Sequence, residues 1–243
     1  MIRRVHVPQL RPGEIELAPG AGRHLRDVLR LAEGTPVELF DDAGATARGT
    51  IIALDPTVIV RVEQVASAKI ADEQITIAAA VPKGERADWM IEKLSELGCH
   101  RFIPLATARS VVLPEGKNKR DRWIRIATES AKQSRRAGVM RIEPLMPLKQ
   151  AIEASQDSLA GYLSTDPLAD PIIDVLSDTG DMILFIGPEG GWTNEEVDMF
   201  EQLSVRALKL TSTILRVETA AVAAATIAAV IAAAAASNRE SAT

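Results

Sequence analysis

The segment MILFIGPEGGW, residues 182–192, decides the interpretation of this chain. Its apolar first half is typical of a buried strand, and it breaks directly into a turn that contains Gly187, Gly190 and Gly191. Glycine lets backbone amides approach a ligand because no side chain intervenes. Open α/β sheets bind their ligands at the carboxyl ends of strands. The segment therefore predicts a binding turn, while an ordinary strand-to-helix turn that needs glycine stays open as the alternative.

The residues after this turn predict the start of a helix. Thr193 and Glu196 have the spacing of a capping box, in which each side chain accepts a hydrogen bond from the other residue's backbone N–H. The turn matches neither the GxGxxG fingerprint nor the P-loop pattern, which disfavours the standard dinucleotide and nucleoside triphosphate sites. Glu189 is its one ionisable side chain.

Around this segment the sequence predicts two domains. Residues 1–70 have short β patterns at 14–17, 36–40, 46–54 and 57–65, with one short helix around residues 24–29, which favours a small β-barrel. The polar stretch 67–73 is the predicted boundary. Residues 71–243 alternate strands, at 75–81, 101–105, 159–164, 182–186 and 205–210, with helices. This alternation predicts an α/β domain with a mostly parallel sheet.

Composition favours a globular cytoplasmic protein. The chain has 243 residues, of which 47% are hydrophobic and 25% charged. One cysteine, Cys99, excludes an internal disulfide, and three histidines make a metal site unexpected. The N-terminus has no apolar core of the kind that marks a signal peptide.

The net charge of −5 conceals an uneven distribution. Residues 101–141 hold eleven basic and three acidic side chains, a net charge of +8, whereas residues 142–208 hold two basic and thirteen acidic ones, a net charge of −11. The basic region is consistent with phosphate binding, although solvated helix faces also explain such charge. The apolar run at 220–236, AAVAAATIAAVIAAAAA, is near the lower length limit for a membrane span. Because alanine is weakly apolar and strongly helix-forming, we expect a tightly packed helix and no membrane partner.

A second motif, ILRVETA at residues 214–220, follows the strand at 205–210. Arg216 and Glu218 lie where an apolar strand ends and a helix of small residues begins. They predict either a structural ion pair or a guanidinium that stabilises negative charge on a ligand.

Several segments together carry a resemblance to a known family. They are HLRDVLRL at 24–31, GERADWMIEKLSELGCHRFIPL at 84–105, WIRIATESAKQSRR at 123–136, IGPEGGWTNEEV at 186–197 and LKLTSTILRVETAAVAA at 208–224. In this order they resemble the bacterial 16S ribosomal RNA uridine N3 methyltransferases (RsmE type) of the SPOUT superfamily. Thr211, Thr213 and Asp27 depart from the family pattern, which has glycine or a basic residue at these places.

The resemblance implies a PUA-like β-barrel over residues 1–70 and a SPOUT methyltransferase domain with a C-terminal trefoil knot over residues 71–243. It implies a cytoplasmic homodimer that uses S-adenosylmethionine, releases S-adenosylhomocysteine, needs no metal, and acts on 16S ribosomal RNA in the assembled or assembling 30S subunit. The residues that it assigns to cofactor binding are Ser164, Thr165, Ile186, Gly187, Glu189, Gly190, Gly191, Leu210, Ile214, Leu215 and Arg216.

Methylation of uracil N3 requires loss of the N3 proton, so the site must supply a base, stabilise the anion, or do both. We expect Arg216 to stabilise the anion or hold the target phosphate, and Glu189 or Glu218 to orient it or accept the proton, with these roles exchangeable. The residues expected to bind RNA are Arg3, Arg4, Arg23, Arg30, Lys83, Arg86, Gln133 and Arg136. Two other functions stay open: methylation of another RNA by the same fold, and a non-catalytic RNA-binding module in ribosome assembly.

Overall fold

The structure, a computed structural model, describes residues 2–66, 74–114, 116–176 and 180–241, with the side chains of 239–241 left aside. These residues form two compact units. The first contains residues 2–66 together with Ala131–Val139, and the second contains the remaining described residues. The predicted boundary segment, 67–73, lies outside the described residues. The packing of residues 131–139 with the first unit was not predicted from the sequence.

The first unit is built mainly of strands. Its sheet follows the order β1-β3-β4-β5-β2, in which β1 pairs with β3 in parallel and the other pairs are antiparallel. A short helix continues into a π-helical turn, His24–Val28, between β2 and β3. The labelled elements are β1 (Arg3–His6), β2 (Gly13–Glu16), α1 (Pro19–Arg23), β3 (Pro36–Phe40), β4 (Thr46–Ala53) and β5 (Ile59–Val62).

Alternation of side chains gives this unit its core. In β4, Ala47, Gly49 and Ile51 are buried, while Arg48 and Thr50 between them are exposed, as expected for a strand with one face in the core. Gly49 is required there, because a Cβ atom would lie 2.5 Å from Val60 Cγ1.

The second unit has alternating strands and helices. Its elements are β6 (Ile75–Ala80), α2 (Glu85–Glu96), β7 (Arg101–Ala106), α3 (Lys117–Ser134, whose end belongs to the first unit), β8 (Arg141–Ile142), β9 (Met146–Pro147), α4 (Leu148–Glu153), β10 (Leu159–Leu163), β11 (Asp170–Pro171), α5 (Ile172–Val175), β12 (Met182–Ile186), α6 (Asn194–Gln202), β13 (Arg206–Lys209) and α7 (Val217–Ser241).

The strands of the second unit form one sheet in the order β11-β13-β10-β12-β6-β7-β8, with β9 also pairing with β7. Each pairing described in it is parallel, which confirms the predicted α/β fold with a mostly parallel sheet. Every residue of β6 and β12 is buried, because helices cover both faces of such sheets. In this strand order β12 lies in the middle of the sheet, and its carboxyl end leads directly into the turn at 187–191.

The alanine-rich helix α7 has two different halves. Ala221, Ala224, Ala225 and Ala228 are fully buried, and this half packs on α2 and β6. The second half is more exposed, with Val230 at 62%. The expected tightly packed helix is therefore found over the first half only. By length and composition alone, Val217–Asn238 could cross a membrane, a test that the core helices of soluble proteins also pass.

Candidate active site

Three loops meet around one cavity in the second unit. The serine loop (residues 164–167) follows β10, the glycine turn (residues 187–191) follows β12, and the threonine loop (residues 210–216) follows β13. Because β13, β10 and β12 are neighbouring parallel strands, their carboxyl ends bring these loops to the same edge of the sheet. The cavity between them has a volume of about 690 Å³.

Most of the residues predicted to bind the cofactor line this cavity. They are Ser164, Thr165, Ile186, Gly187, Glu189, Gly190, Gly191, Leu210, Ile214 and Leu215. Arg216 lies outside the lining, with an exposed side chain. The structure therefore brings the predicted loops together, whereas the Arg216 side chain, at the end of the threonine loop, does not line the cavity.

Trp192 packs against the glycine turn. Its indole Nε1 donates a hydrogen bond to Leu163 O at 3.0 Å, which ties the turn to the end of β10. Gly187 lies under the ring, since a Cβ atom there would be only 2.9 Å from Trp192 Cε2. Tyr162 and Phe200 continue this aromatic cluster, their rings stacked with centroids 4.3 Å apart. A side chain at position 187 would therefore displace the indole.

Arg109, in the loop after β7, also holds the glycine turn, through hydrogen bonds to its backbone. Its Nη1 donates to Gly190 O at 2.6 Å and to Trp192 O at 3.3 Å. These carbonyls are 81 and 83 residues away in the chain. Arg109 thus fixes backbone groups of the turn through contacts that no local motif encodes.

Glu196 connects the same two segments through its buried carboxylate. Thr193 and Glu196 form the predicted capping box, which the structure confirms: Glu196 N donates to Thr193 Oγ1 at 3.3 Å, and Thr193 N donates to Glu196 Oε2 at 2.9 Å. The other oxygen, Oε1, accepts a hydrogen bond from Ala108 N at 2.8 Å. One carboxylate therefore starts α6 and also holds the loop that carries Arg109.

The threonine loop is held by its own side chains. Thr211 Oγ1 donates to Thr213 O at 2.7 Å and accepts from Thr213 N at 3.2 Å. Side-chain hydroxyls that bond to nearby backbone groups close turns in this way. Among the described residues, the left-handed φ values outside glycine are those of Arg30, Arg135 and Ser204, so Thr211 fits its position, where the family pattern has glycine, without backbone strain.

The two acids predicted to be catalytic differ in environment. The Glu189 side chain is 49% exposed and lines the cavity, whereas the Glu218 side chain is 8% exposed and lies outside the lining. Arg86 lies between them, with Nη1 at 3.3 Å from Glu218 Oε1 and 3.8 Å from Glu189 Oε1. Arg86, predicted to bind RNA, is thus placed beside the two acids. The predicted alternative of an ion pair between Arg216 and Glu218 is replaced by the pair of Glu218 with Arg86.

Among the other residues predicted to bind RNA, Arg4 requires a correction. Its side chain is 5% exposed, and its Nε lies 3.2 Å from Glu38 Oε1. Its Nη1 donates to Ala131 O at 3.1 Å, and its guanidinium stacks 4.1 Å from the centre of the Phe40 ring. These contacts engage the guanidinium within the first unit, so Arg4 is a structural residue.

The remaining predicted RNA contacts differ in exposure. Arg3, Arg23, Arg30, Lys83 and Gln133 are exposed, and Arg136 is half-buried. Arg30 has a φ of 51°, in the left-handed region that ends the preceding helical turn. Asp27 is engaged by Arg26 Nε at 2.7 Å, a hydrogen bond that lowers the pKa of its carboxyl group.

Several cavity residues were missed by the sequence reasoning. Tyr162, Pro167, Arg109, Lys209 and Trp192 line it as well. Trp192 and Tyr162 could have been predicted from the sequence, because aromatic side chains near a binding turn often line the ligand pocket. Burial, together with the nearby Glu201 and Asp166 charges, raises the pKa of the Tyr162 hydroxyl.

Comparison with known proteins identifies the family. The RNA methyltransferase domain matches residues 70–229. The ribosomal RNA small subunit methyltransferase E of Bacillus subtilis is 30% identical over 210 residues, which cover 81% of this chain and 82% of that protein. A methyltransferase of Legionella pneumophila, solved with S-adenosylmethionine, has a TM-score of 0.83 at 28% identity and covers 96% of this chain and 98% of its own.

A second solved structure agrees with this assignment. The ribosomal RNA small subunit methyltransferase E of Neisseria gonorrhoeae, bound to S-adenosylmethionine, has a TM-score of 0.82 at 26% identity, with 93% of this chain and 95% of that chain covered. The chain belongs to the RNA methyltransferase family, in the group of ribosomal RNA small subunit methyltransferase E.

Proposed function

We propose that this protein transfers a methyl group from S-adenosylmethionine to N3 of a uridine in 16S ribosomal RNA, on the assembled or assembling small subunit. The observation that carries the proposal is the meeting of three loops around one cavity in a chain of this family. Two relatives of similar fold were solved with S-adenosylmethionine bound.

The cavity fits this cofactor in size and lining. A volume of about 690 Å³ lies within the range of small-molecule sites, about 300 to 1,000 Å³. Glycines in the turn at 187–191 expose backbone groups to the ligand, and Tyr162 and Trp192 supply aromatic surface. The bound cofactor supplies a methyl group on a positively charged sulfur. The residues that hold it are those of the three loops, with Arg216 acting from outside the lining.

The chain's own groups prepare the uracil. N3 must lose its proton before it can attack a methyl group, and Glu189, on the cavity wall, is placed to accept it. Negative charge then spreads to uracil O2 and O4, and a guanidinium stabilises it. Arg216 is the proposed donor of this stabilisation, or the residue that holds the target phosphate.

The path of the chain supports a trefoil knot. After β13, on one side of β10, the threonine loop leads into α7, which packs on β6 and β12 on the other side of β10. This return passes the loops that follow β10 and β12, which line the same cavity. We propose that the chain is knotted here, that the first unit is the PUA-like barrel, and that the exposed second half of α7 joins two cytoplasmic subunits.

A methyl transfer assay tests the function. Purified protein is incubated with tritiated S-adenosylmethionine and, separately, 30S subunits, naked 16S ribosomal RNA and transfer RNA, and digested products are analysed by nucleoside mass spectrometry. We expect 3-methyluridine in the small-subunit RNA. Another methylated nucleoside, or label confined to transfer RNA, would contradict the proposal, and absence of transfer together with absence of cofactor binding by calorimetry would indicate a non-catalytic module.

A salt titration tests the RNA contacts. Phosphate contacts release counterions, so RNA affinity should fall steeply as salt rises. Arg23→Ala and Arg30→Ala should each reduce this salt dependence, whereas Arg4→Ala should change stability instead, because its guanidinium is engaged in the first unit. A flat salt dependence in the parent protein would contradict phosphate binding.

A further inference from the structure

The guanidinium of Arg86 lies close to two carboxylates, and the three residues belong to elements that are far apart in the chain. Arg86 is the second residue of α2, Glu218 is the second residue of α7, and Glu189 belongs to the glycine turn. Arg86 Nη1 donates a hydrogen bond to Glu218 Oε1 at 3.3 Å across 132 residues of sequence. The same nitrogen lies 3.8 Å from Glu189 Oε1, close enough for an ion pair and too far for a hydrogen bond.

The two carboxylates beside Arg86 differ in burial. Glu218 is buried, and its Oε2 has no hydrogen-bond partner among the described residues. A buried carboxylate is costly unless a cation accompanies it, so Glu218 depends on Arg86. Glu189 is half exposed, and an exposed ion pair of this length contributes little to stability. Arg86 is therefore fixed by Glu218, and its charge stays 3.8 Å from Glu189 Oε1.

This anchoring argues against a phosphate contact by Arg86. To bind an RNA phosphate, the guanidinium would have to leave Glu218 and strand its carboxylate in a buried place without a cation. Lys83, three residues earlier, is exposed, so it is the better candidate for a phosphate contact. The charge of Arg86 therefore interacts with Glu218 and Glu189 and is not available to an RNA phosphate.

The position of Glu189 gives the arrangement a chemical use. Of the three side chains, Glu189 lines the cavity, and Arg86 and Glu218 stand outside the lining. A cation fixed beside a carboxylate limits the orientations that the carboxylate adopts. An ionised carboxylate is an acceptor only, which suits it to take the N3–H proton of a uracil.

We propose that Arg86 is a positioning residue that holds Glu189 as the proton acceptor, and that Glu218 is the anchor of Arg86. This rests on the proposed uridine N3 methylation. The N3–H bond breaks and its proton passes to a Glu189 oxygen, the N3 anion forms a bond to the methyl carbon as the carbon–sulfur bond breaks, and the proton then leaves Glu189 for solvent. Arg86 keeps its charge throughout. Of the two acids, Glu189 is thus the proposed proton acceptor.

Steady-state kinetics of methyl transfer test this division of roles. Arg86→Ala should lower kcat by about 100-fold, in the range of a lost general base, while KM for RNA and the Kd of S-adenosylmethionine by calorimetry stay within about 2-fold. Arg86→Lys should recover at least about 10-fold of the lost kcat because it restores the charge. Lys93→Ala is the matched control: it removes a cation from the same helix, one paired with Glu92 and Glu96 at the surface, and should leave kcat unchanged.

A double variant keeps the test valid if Arg86→Ala does not fold. Arg86→Ala combined with Glu218→Gln removes the cation and the buried charge together, so it should fold, and its kcat should lie about 100-fold below that of the parent protein. A raised KM for RNA with unchanged kcat would overturn the proposal in favour of a phosphate contact. Equal kcat in Arg86→Ala and parent protein would also overturn it. If the parent protein methylates no RNA, the proposed function itself fails, and the two failures are distinguished.

Discussion

The glycine turn and the threonine loop line the same cavity but are held in opposite ways. The glycine turn has one local hydrogen bond, from Gly191 N to Pro188 O, and is otherwise held by Arg109 and by the packing of Trp192. The loop that carries Arg109 is itself held by Glu196. The threonine loop is closed by Thr211, two residues from its partner. The first loop therefore depends on the fold of the whole unit, whereas the second depends on its own sequence.

This difference has a consequence for substitutions. Changes that reach the glycine turn should alter stability and cofactor binding together, because the same contacts support both. Changes in the threonine loop should alter cofactor binding alone. Four variants test this difference between the two loops, and they follow in descending order of expected effect.

Glu196→Ala should have the largest effect. It removes the acceptor of two partly buried hydrogen bonds, from Ala108 N and Thr193 N, which should lower the free energy of unfolding by about 2 to 4 kcal/mol. Chemical denaturation measures this. Asp198→Ala, at an exposed position of the same helix, should cost less than about 0.5 kcal/mol. Equal losses in the two variants would show that the carboxylate does not connect the segments.

Gly187→Ala should come next. Its methyl group would lie 2.9 Å from the Trp192 ring, which has to move away from Leu163 O. We expect a stability loss of about 1 to 3 kcal/mol and weaker binding of S-adenosylmethionine by about 10-fold or more. Gly190→Ala is the matched variant: its methyl group meets the flexible Arg109 chain at 3.1 Å, so the loss should be smaller. The reverse order of the two losses would contradict the role of Trp192.

Arg109→Ala should affect binding more than stability. The guanidinium is exposed but donates to Gly190 O and Trp192 O, so its loss should weaken cofactor binding by about 5- to 10-fold, the equivalent of one hydrogen bond. Isothermal calorimetry is the measurement. Arg125→Ala, which removes an exposed cation from α3, should leave the Kd unchanged. Similar losses in both would point to net charge as the cause.

Thr211→Ala should have the smallest effect, with the Kd of the cofactor raised by about 2- to 5-fold and the melting temperature unchanged. Thr211→Ser keeps the hydroxyl and should bind like the parent protein. Thr213→Val should also be tolerated, because it removes the longest of these hydrogen bonds, between the two hydroxyls at 3.3 Å, and keeps the two made by the Thr213 backbone. A fall in melting temperature for Thr211→Ala would show that this loop, too, depends on the rest of the unit.

The same distinction explains what the sequence could predict. Features that depend on neighbours in the chain were predicted correctly: the strand Met182–Ile186 before the turn, the capping box of Thr193 and Glu196, and the alternating strands and helices of the second unit. Periodicity and short-range hydrogen bonding determine such features. The glycine turn was predicted as a binding turn from its own residues, and its grouping with the other two loops around a cofactor came from the family resemblance.

Features that depend on distant partners were missed. Arg4 and Arg86 have the appearance of phosphate contacts in the sequence, and only the fold brings Glu38 to the first and Glu218 to the second. The first strand, Arg3–His6, was missed because four residues that include two arginines and a histidine give little apolar alternation. Arg109 is separated from the carbonyls that it holds by more than 80 residues.

The central position of β12 determines when the second unit can be completed during synthesis. In the sheet that the structure describes, β12 joins β10 on one side to β6 on the other. Residues Ile75–Ala80 therefore have to wait until Met182–Ile186 have left the ribosome before their open edge is paired. Pairing of such distant segments is slow, so the nascent chain carries a mostly apolar strand with one open edge for about a hundred residues of translation. We expect chaperone dependence to be greatest in that interval.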